Sequence, residues 1–413
     1  MTGQMTGQST ERMITAVYVS PTAMEPMLPE QDKALEELAV NIVRAAGQLS
    51  GRLHPITRLA VAALVRSMNS YYSNLIEGHN THPLDIERAL RKDLSMDPAK
   101  RALQLESKAH IEVQTLIEEK LQADASARIC SADFLRWIHK EFYDRLPDEF
   151  QIVKTKTGLN ERVHPGELRS GEVEVGQHVA PSSTALLEFL SRFESVYEPS
   201  NLTAVQRIIA TAASHHRLAW IHPFLDGNGR VSRLFTDAYF RRIHLTSHGL
   251  WTVSRGLARH RDKYFAALGA ADAKRWNDYD GRGNLSLKAL VDFCRFFLEV
   301  CLDQIRYMSA LLEFETIDKR ICSFAERFSA LHGLPREMAV LLRDCFLRGE
   351  VSRGEAAKLL DKPERTARRL LQRLLEEDLI ASEGPGKPLR IKFPMQVVGY
   401  YFPKLFPEGV END

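Results

Sequence analysis

The chain has 413 residues, 55 Lys and Arg against 54 Asp and Glu, 44% hydrophobic residues and a formal net charge of +1. That length implies two or three domains, and the ordinary apolar share excludes a chain disordered throughout. Near-neutrality excludes a bulk electrostatic hold on nucleic acid or on an anionic membrane, so any such contact needs a local patch.

No membrane segment is expected, because the longest run free of Asp, Glu, Lys and Arg is thirteen residues, Val175 to Leu187, well short of the ~20 apolar residues of a membrane helix. No basic region followed by an apolar run opens the chain, so no secretory signal is expected. Five cysteines (Cys130, Cys294, Cys301, Cys322, Cys345), odd in number and never spaced as metal pairs, fit structural thiols in a reducing cytoplasm.

In chain order, residues 1–30 carry a repeated Met-Thr-Gly-Gln and Pro21, Pro26 and Pro29, and are expected to form a flexible arm. A helical region follows over 31–97. Leu35, Leu38, Ala39, Ile42, Val43 and Ala46 recur at helical steps, and a second helix is predicted from Thr57 to Ile76, stopped by Gly78 after Glu77. Helices are predicted over 98–122 and 131–144, then a small hairpin between Phe150 and Pro181, where glycines at 158, 166, 171 and 176 break short segments. Helices resume over 183–197, 203–219, 229–243 and 284–313, completing a core domain over 98–318. A further unit over 334–395 reads helix, turn, helix, hairpin. Ser352-Arg353-Gly354-Glu355 is a capping box, and Pro363 starts a helix with Arg365, Arg368, Arg369 and Arg373 opposite Leu370, Leu371 and Leu374. That order is a winged helix-turn-helix. The fold class is therefore mainly α, with a small hairpin and a C-terminal winged helix.

The stretch with most chemistry is His222-Pro223-Phe224-Leu225-Asp226-Gly227-Asn228-Gly229-Arg230-Val231-Ser232-Arg233. Pro223 keeps His222 out of the right-handed helical region, so one helix ends there. Gly227-Asn228-Gly229 lets the backbone turn tightly and aim N–H groups at one point, at the positive end of the next helix. Arg230 and Arg233 lie three apart on that helix, able to reach one polyphosphate. Asp226 is placed to hold a magnesium ion, and His222 is the group here that titrates near neutrality. Two other features are dismissed. Asp278-Tyr279-Asp280-Gly281-Arg282 lacks the later glutamate of a calcium loop, and His215-His216 sit on adjacent helix faces and cannot chelate together.

The stretch is a full match to the signature His-x-Phe-x-Asp/Glu-Gly-Asn-Gly-Arg-x-x-Arg and so resembles the Fic family. The resemblance implies transfer of AMP from ATP to a hydroxyl side chain of a target protein, or of the chain itself, with ATP as substrate and Mg2+ as cofactor. It implies His222 as general base, Asp226 as metal ligand, Gly227 to Gly229 as anion hole, Asn228 on phosphate, Arg230 and Arg233 on distal phosphates, and a buried Phe224. Ser73-Asn74-Leu75-Ile76-Glu77-Gly78 resembles the inhibitory motif of some relatives, which implies that Glu77 pairs with Arg233 and holds the site off. The hairpin near 166–179, preceded by Pro165-Gly166-Glu167-Leu168-Arg169, resembles the family's flap, which could align target backbone by strand addition. Tyr264 is a candidate for packing on adenine, or a core tyrosine. The same site could instead remove AMP, and the chain could be a DNA-binding regulator that senses nucleotide. The winged helix leaves DNA, a protein or a second copy of the chain open as partners.

Overall fold

A computed structural model describes residues 18–29, 31–154, 160–176 and 178–407. Local signals set most helix starts. α1 (Lys33–Ser50) opens on Asp32, whose carboxylate accepts the Leu35 N–H at 2.9 Å, and α2 (Pro55–Ile76) opens with proline in its first turn. A short helix absent from the sequence reading, α3 (Pro83–Leu90), precedes α4 (Pro98–Ala123), which is capped by Asp97, and α5 (Ala132–Tyr143), capped by Ser131.

The segment expected to hold one hairpin holds two. The first joins β1 (Ile152–Lys154) to β2 (Asn160–Arg162); the second joins β3 (Glu174–Val175) to β4 (His178–Val179), with Glu174 opposite Val179. Residues 155–159, which include the glycine at 158, and residue 177 lie outside the described residues.

Then come α6 (Leu186–Tyr197), α7 (Ala204–Ile221) and α8 (Asn228–Arg242). From Ile208 to Ile221 nearly every residue of α7 is buried, because α1, α6, α8 and α11 (Leu287–Leu311) surround it. Its first turn is fixed by a complete capping box of Thr203 and Gln206. α9 (Ser254–Arg259) and α10 (Arg261–Ala271) lie between α8 and α11.

The arm is a correction. Residues 1–17 lie outside the described residues, but Tyr18–Pro29 is threaded into the core. Met24 and Met27 are buried, the Tyr197 hydroxyl donates to the Met27 carbonyl at 2.5 Å, and Arg217, itself fully buried, donates to the Pro26 carbonyl at 2.7 Å. The prolines that suggested a loose segment fit a short 3-10 turn, Pro21–Met24, followed by a stretch that pairs with its surroundings.

The C-terminal unit reaches further back than residue 334. α12 (Phe314–His332) packs on α13 (Met338–Arg348) and on α16 (Met395–Tyr401), two of these three helices being absent from the sequence reading. Between them lie α14 (Arg353–Leu359), α15 (Glu364–Glu376) and the ribbon of β5 (Ile380–Ala381) with β6 (Arg390–Ile391). The Ser352 box is half formed. Its hydroxyl accepts the Glu355 N–H, but the Glu355 carboxylate turns to Arg348 at 2.6 Å. No helix of the described residues is long and apolar enough to cross a membrane.

Candidate active site

α7 ends at His222 in the left-handed region (φ 49°, ψ 60°), and α8 begins at Asn228 behind Gly227, also left-handed at φ 78°. Glycine is required at 227, where φ is positive and a Cβ would fall 2.7 Å from the Tyr143 ring; a Cβ on Gly229 would meet the Glu77 carboxylate, which would have to move.

The neutral His222 imidazole carries hydrogen on one ring nitrogen and a lone pair on the other. Burial, helped by the nearby Arg169 charge, pushes its pKa down to about 4, so the ring is neutral at neutral pH. Arg169 clamps the loop from the hairpin side. It is 4% exposed, and its Nε donates to the His222 carbonyl and its Nη1 to the Gly171 carbonyl, each at 2.8 Å. Its backbone N–H donates to the Pro223 carbonyl at 3.0 Å.

Phe224 is fully buried and stacks on His139 with ring centroids 4.1 Å apart. His139 accepts the Gly166 N–H on Nδ1 at 2.8 Å, so Nε2 carries the hydrogen and donates to the Asp226 carbonyl at 3.3 Å. One turn on, the Tyr143 hydroxyl donates to the Asp226 carboxylate at 2.6 Å. Burial raises the Asp226 pKa, but the Arg230 charge and this hydroxyl outweigh it and keep the carboxylate ionised.

Asn228 has a structural role beside the expected phosphate contact. Both ends of its amide bind the Phe224 backbone, at 3.0 and 2.8 Å, so its side chain staples the loop as well, with one Nδ2 hydrogen and its backbone N–H left for an anion.

Arg230 and Arg233 are 7% and 3% exposed and do share one face, each meeting a carboxylate from a distant helix. Arg230 pairs with Glu106 of α4, which is wholly buried and also takes His79 Nδ1 at 2.7 Å, and it reaches Asp226 at 3.2 Å. The Arg230 Nε is buried without a hydrogen-bond partner, as are those of Arg217 and Arg255. Arg233 donates to the Ser73 hydroxyl at 2.8 Å, the Ser73 carbonyl at 3.0 Å and the Glu77 carboxylate at 2.5 Å. Burial raises the Glu77 pKa, and Arg233 with Arg230 more than reverses this, so Glu77 is an anion lying over Gly229 at the start of α8. Gly78, left-handed at φ 91°, ends the turn behind it.

Tyr264 is a correction toward the core alternative. It is 2% exposed, and its hydroxyl bonds His215 Nε2 at 2.8 Å and also meets Arg233. No ring face is left for adenine in this arrangement. His215 is used after all, not as a ligand but as the neutral link between Tyr264 and Thr236.

Glu106, His139, Tyr143 and the clamping role of Arg169 escaped the sequence reading. Glu106 had a signal, a carboxylate on the apolar stripe of Ala102, Ala109, Val113 and Ile117. So did His139 and Tyr143, one turn apart on the buried face of α5.

Comparison with known proteins bears on this same segment. Residues 129–240 match the model of the Fic/DOC family. A protein adenylyltransferase Fic of Nematostella vectensis is 31% identical over 172 residues, 42% of this chain and 36% of that protein. One of Culex quinquefasciatus is 29% identical over 170 residues, 41% and 32% of the two. The chain thus spans about a third of the length of these relatives. The structure of Fic-1 (residues 134–508) from C. elegans superposes with a TM-score of 0.50 at 15% identity, covering 68% of this chain and 73% of that one, a likeness of fold alone. The loop from His222 to Arg233, held by α5 from one side and by α2 and α4 from the other, lies in the segment of this chain that matches the Fic/DOC family.

Proposed function

We propose that the chain is a protein adenylyltransferase, moving AMP from ATP to a Ser, Thr or Tyr hydroxyl of a target protein or of itself. The observation that carries this is His222, with one nitrogen unprotonated, beside the glycine turn and the two arginines of α8. The acceptor hydroxyl gives its proton to that nitrogen, its oxygen bonds the α-phosphorus, and the bond to the β-phosphate oxygen breaks to release pyrophosphate. The N–H groups of the first turn of α8 and the Arg230 Nε bind phosphate oxygens and stabilise the charge that builds there.

The residues fit magnesium. Asp226 is ionised and its side chain is 39% exposed at the lip, which suits an ion taking most of its ligands from phosphate and water. Bound there, the ion would neutralise phosphate charge. Tyr143 and His139 hold Asp226 in place.

Glu77 restrains the reaction. Its carboxylate engages Arg233 and covers Gly229, where the phosphates would lie, so a triphosphate must share or displace it. The second hairpin, anchored by Arg169 and by His178 on the Trp220 carbonyl at 2.7 Å, would receive target backbone along its edge. The C-terminal unit is a winged helix-turn-helix, and a second role in DNA contact is favoured by Arg365, Arg368 and Arg369, all exposed on α15. The reducing cytoplasm suits the five unpaired cysteines.

Incubation with α-labelled or γ-labelled ATP tests the reading. Only the α label should remain on protein, more with Glu77→Gly and none with His222→Ala. Retention of the γ label would replace adenylyl transfer with phosphoryl transfer. Loss of AMP from a pre-modified target in magnesium without ATP would favour the reverse reaction.

A further inference from the structure

The helix that carries Glu77 is held on two sides. Toward the site, Ser73 and Glu77 engage Arg233. Away from it, α2 is gripped along its length by the C-terminal unit. At its start, the Thr57 hydroxyl donates to the Phe346 carbonyl at 2.6 Å, and Gly349 approaches so closely that a Cβ there would lie 2.0 Å from the His54 ring. Near its end, the Tyr72 hydroxyl donates to the Leu405 carbonyl at 3.0 Å, and the Tyr71 ring meets Phe406 edge-on at 5.4 Å. The segment from Phe402 to Phe406 is itself pinned to the core, since Arg255 donates to the Lys404 carbonyl at 2.7 Å and Tyr307 to the Pro403 carbonyl at 3.1 Å.

Thr57 and Glu77 are about 30 Å apart along a helix of 1.5 Å rise per residue. A helix moves as a rod, and Tyr72 and Ser73 are neighbours in sequence, so the outer grip and the Arg233 contact constrain the same turn. We infer that the Phe402–Phe406 segment is the backstop of the inhibitory helix, and that loosening it releases Glu77 from Arg233. The inference rests on the adenylyl-transfer reading for its activity readout but not for its mechanical one. It assigns the C-terminal unit a control function over the site, exercised without touching nucleotide.

Tyr72→Phe removes the hydroxyl that donates to the Leu405 carbonyl, and Phe406→Ala removes a ring that is 1% exposed. Loss of a single buried hydrogen bond should shift the closed–open balance about two- to tenfold. Two measurements are made on the full chain: incorporation of α label from ATP, and amide hydrogen exchange over residues 73–78. Both variants should raise labelling and exchange, and neither should raise labelling further in a Glu77→Gly background. If Glu77→Gly labels strongly while both variants stay at the wild-type level in labelling and exchange, the backstop is refuted and the transferase stands. The backstop is also refuted if the variants raise labelling by the same factor with or without Glu77. If no variant labels, the transferase reading fails, and exchange over 73–78 alone decides the coupling. Tyr72→Phe keeps the test decisive should Phe406→Ala fail to fold.

Discussion

α8 and α15 both carry arginines at a spacing of three, Arg230 with Arg233 and Arg365 with Arg368, yet they use them in opposite ways. On α8 the arginine face is the packed face. Each guanidinium is desolvated and meets a carboxylate brought from another helix, Glu106 of α4 or Glu77 at the end of α2. On α15 the packed face is Ala367, Leu370, Leu371 and Leu374, and Arg365, Arg368 and Arg369 stay in water. Arg368 pairs with Glu364 one turn away, the two side chains being 78% and 76% exposed. Identical spacing thus yields a committed site in one place and an open surface in the other. A buried ion pair is costly to break, whereas an exposed one contributes about 0–1 kcal/mol.

Four perturbations sharpen that contrast, the largest first. His222→Ala should lower α-label transfer on the order of 10²–10⁴-fold, the usual range for a general base, with the fold intact by circular dichroism. Residual transfer near the wild-type rate would remove His222 from the chemistry. Glu106→Ala leaves Arg230 with Asp226 as its one remaining carboxylate and should cost up to about 3–5 kcal/mol in urea unfolding, since the wholly buried half of its pairing is lost.

The third perturbation is acid. His110 and His215 are wholly buried, and desolvation pushes the pKa of each down to about 3. Between pH 6.5 and about 3 the unfolded chain binds protons that the folded chain refuses, so stability falls as pH falls. At pH 5 each histidine costs about 2 kcal/mol relative to pH 7.5. His79 has the opposite sign, because its bond to Glu106 raises its pKa, so its contribution is present below pH 6.5 and fades as pH rises through the raised value. Urea midpoints at pH 7.5 and 5.0 measure the sum, and equal midpoints would mean that the buried imidazoles are charged in the folded chain. The smallest effect belongs to α15. Arg365→Ala, Arg368→Ala and Arg369→Ala together should change stability by no more than about 0.5 kcal/mol per site and leave transfer unchanged. The same triple variant should abolish any salt-sensitive mobility shift with duplex DNA.

The sequence by itself determined the local parts. The 3.6-residue periods of α1, α2, α4, α7 and α11 follow from their apolar spacing, and the break at His222 follows from Pro223. The turn at Gly227 to Gly229 follows from the backbone freedom of glycine. The pairing of Glu77 with Arg233 was legible from motif resemblance, although 156 residues separate them. α3 and α12 were not predicted, although Ile317, Ile321, Phe324 and Phe328 of α12 recur at helical steps and α3 opens on Pro83.

Tertiary structure decided which buried polar groups met. Glu106 reaches Arg230 across 124 residues, and Tyr143 reaches Asp226 across 83. It also turned Tyr264 into the core, gave Asn228 to the Phe224 backbone, and threaded Tyr18–Pro29 through the interior. The physical reason is that periodicity and turn chemistry act over a few residues. A desolvated charge or hydroxyl must find its partner wherever packing brings one, and no local pattern encodes that address.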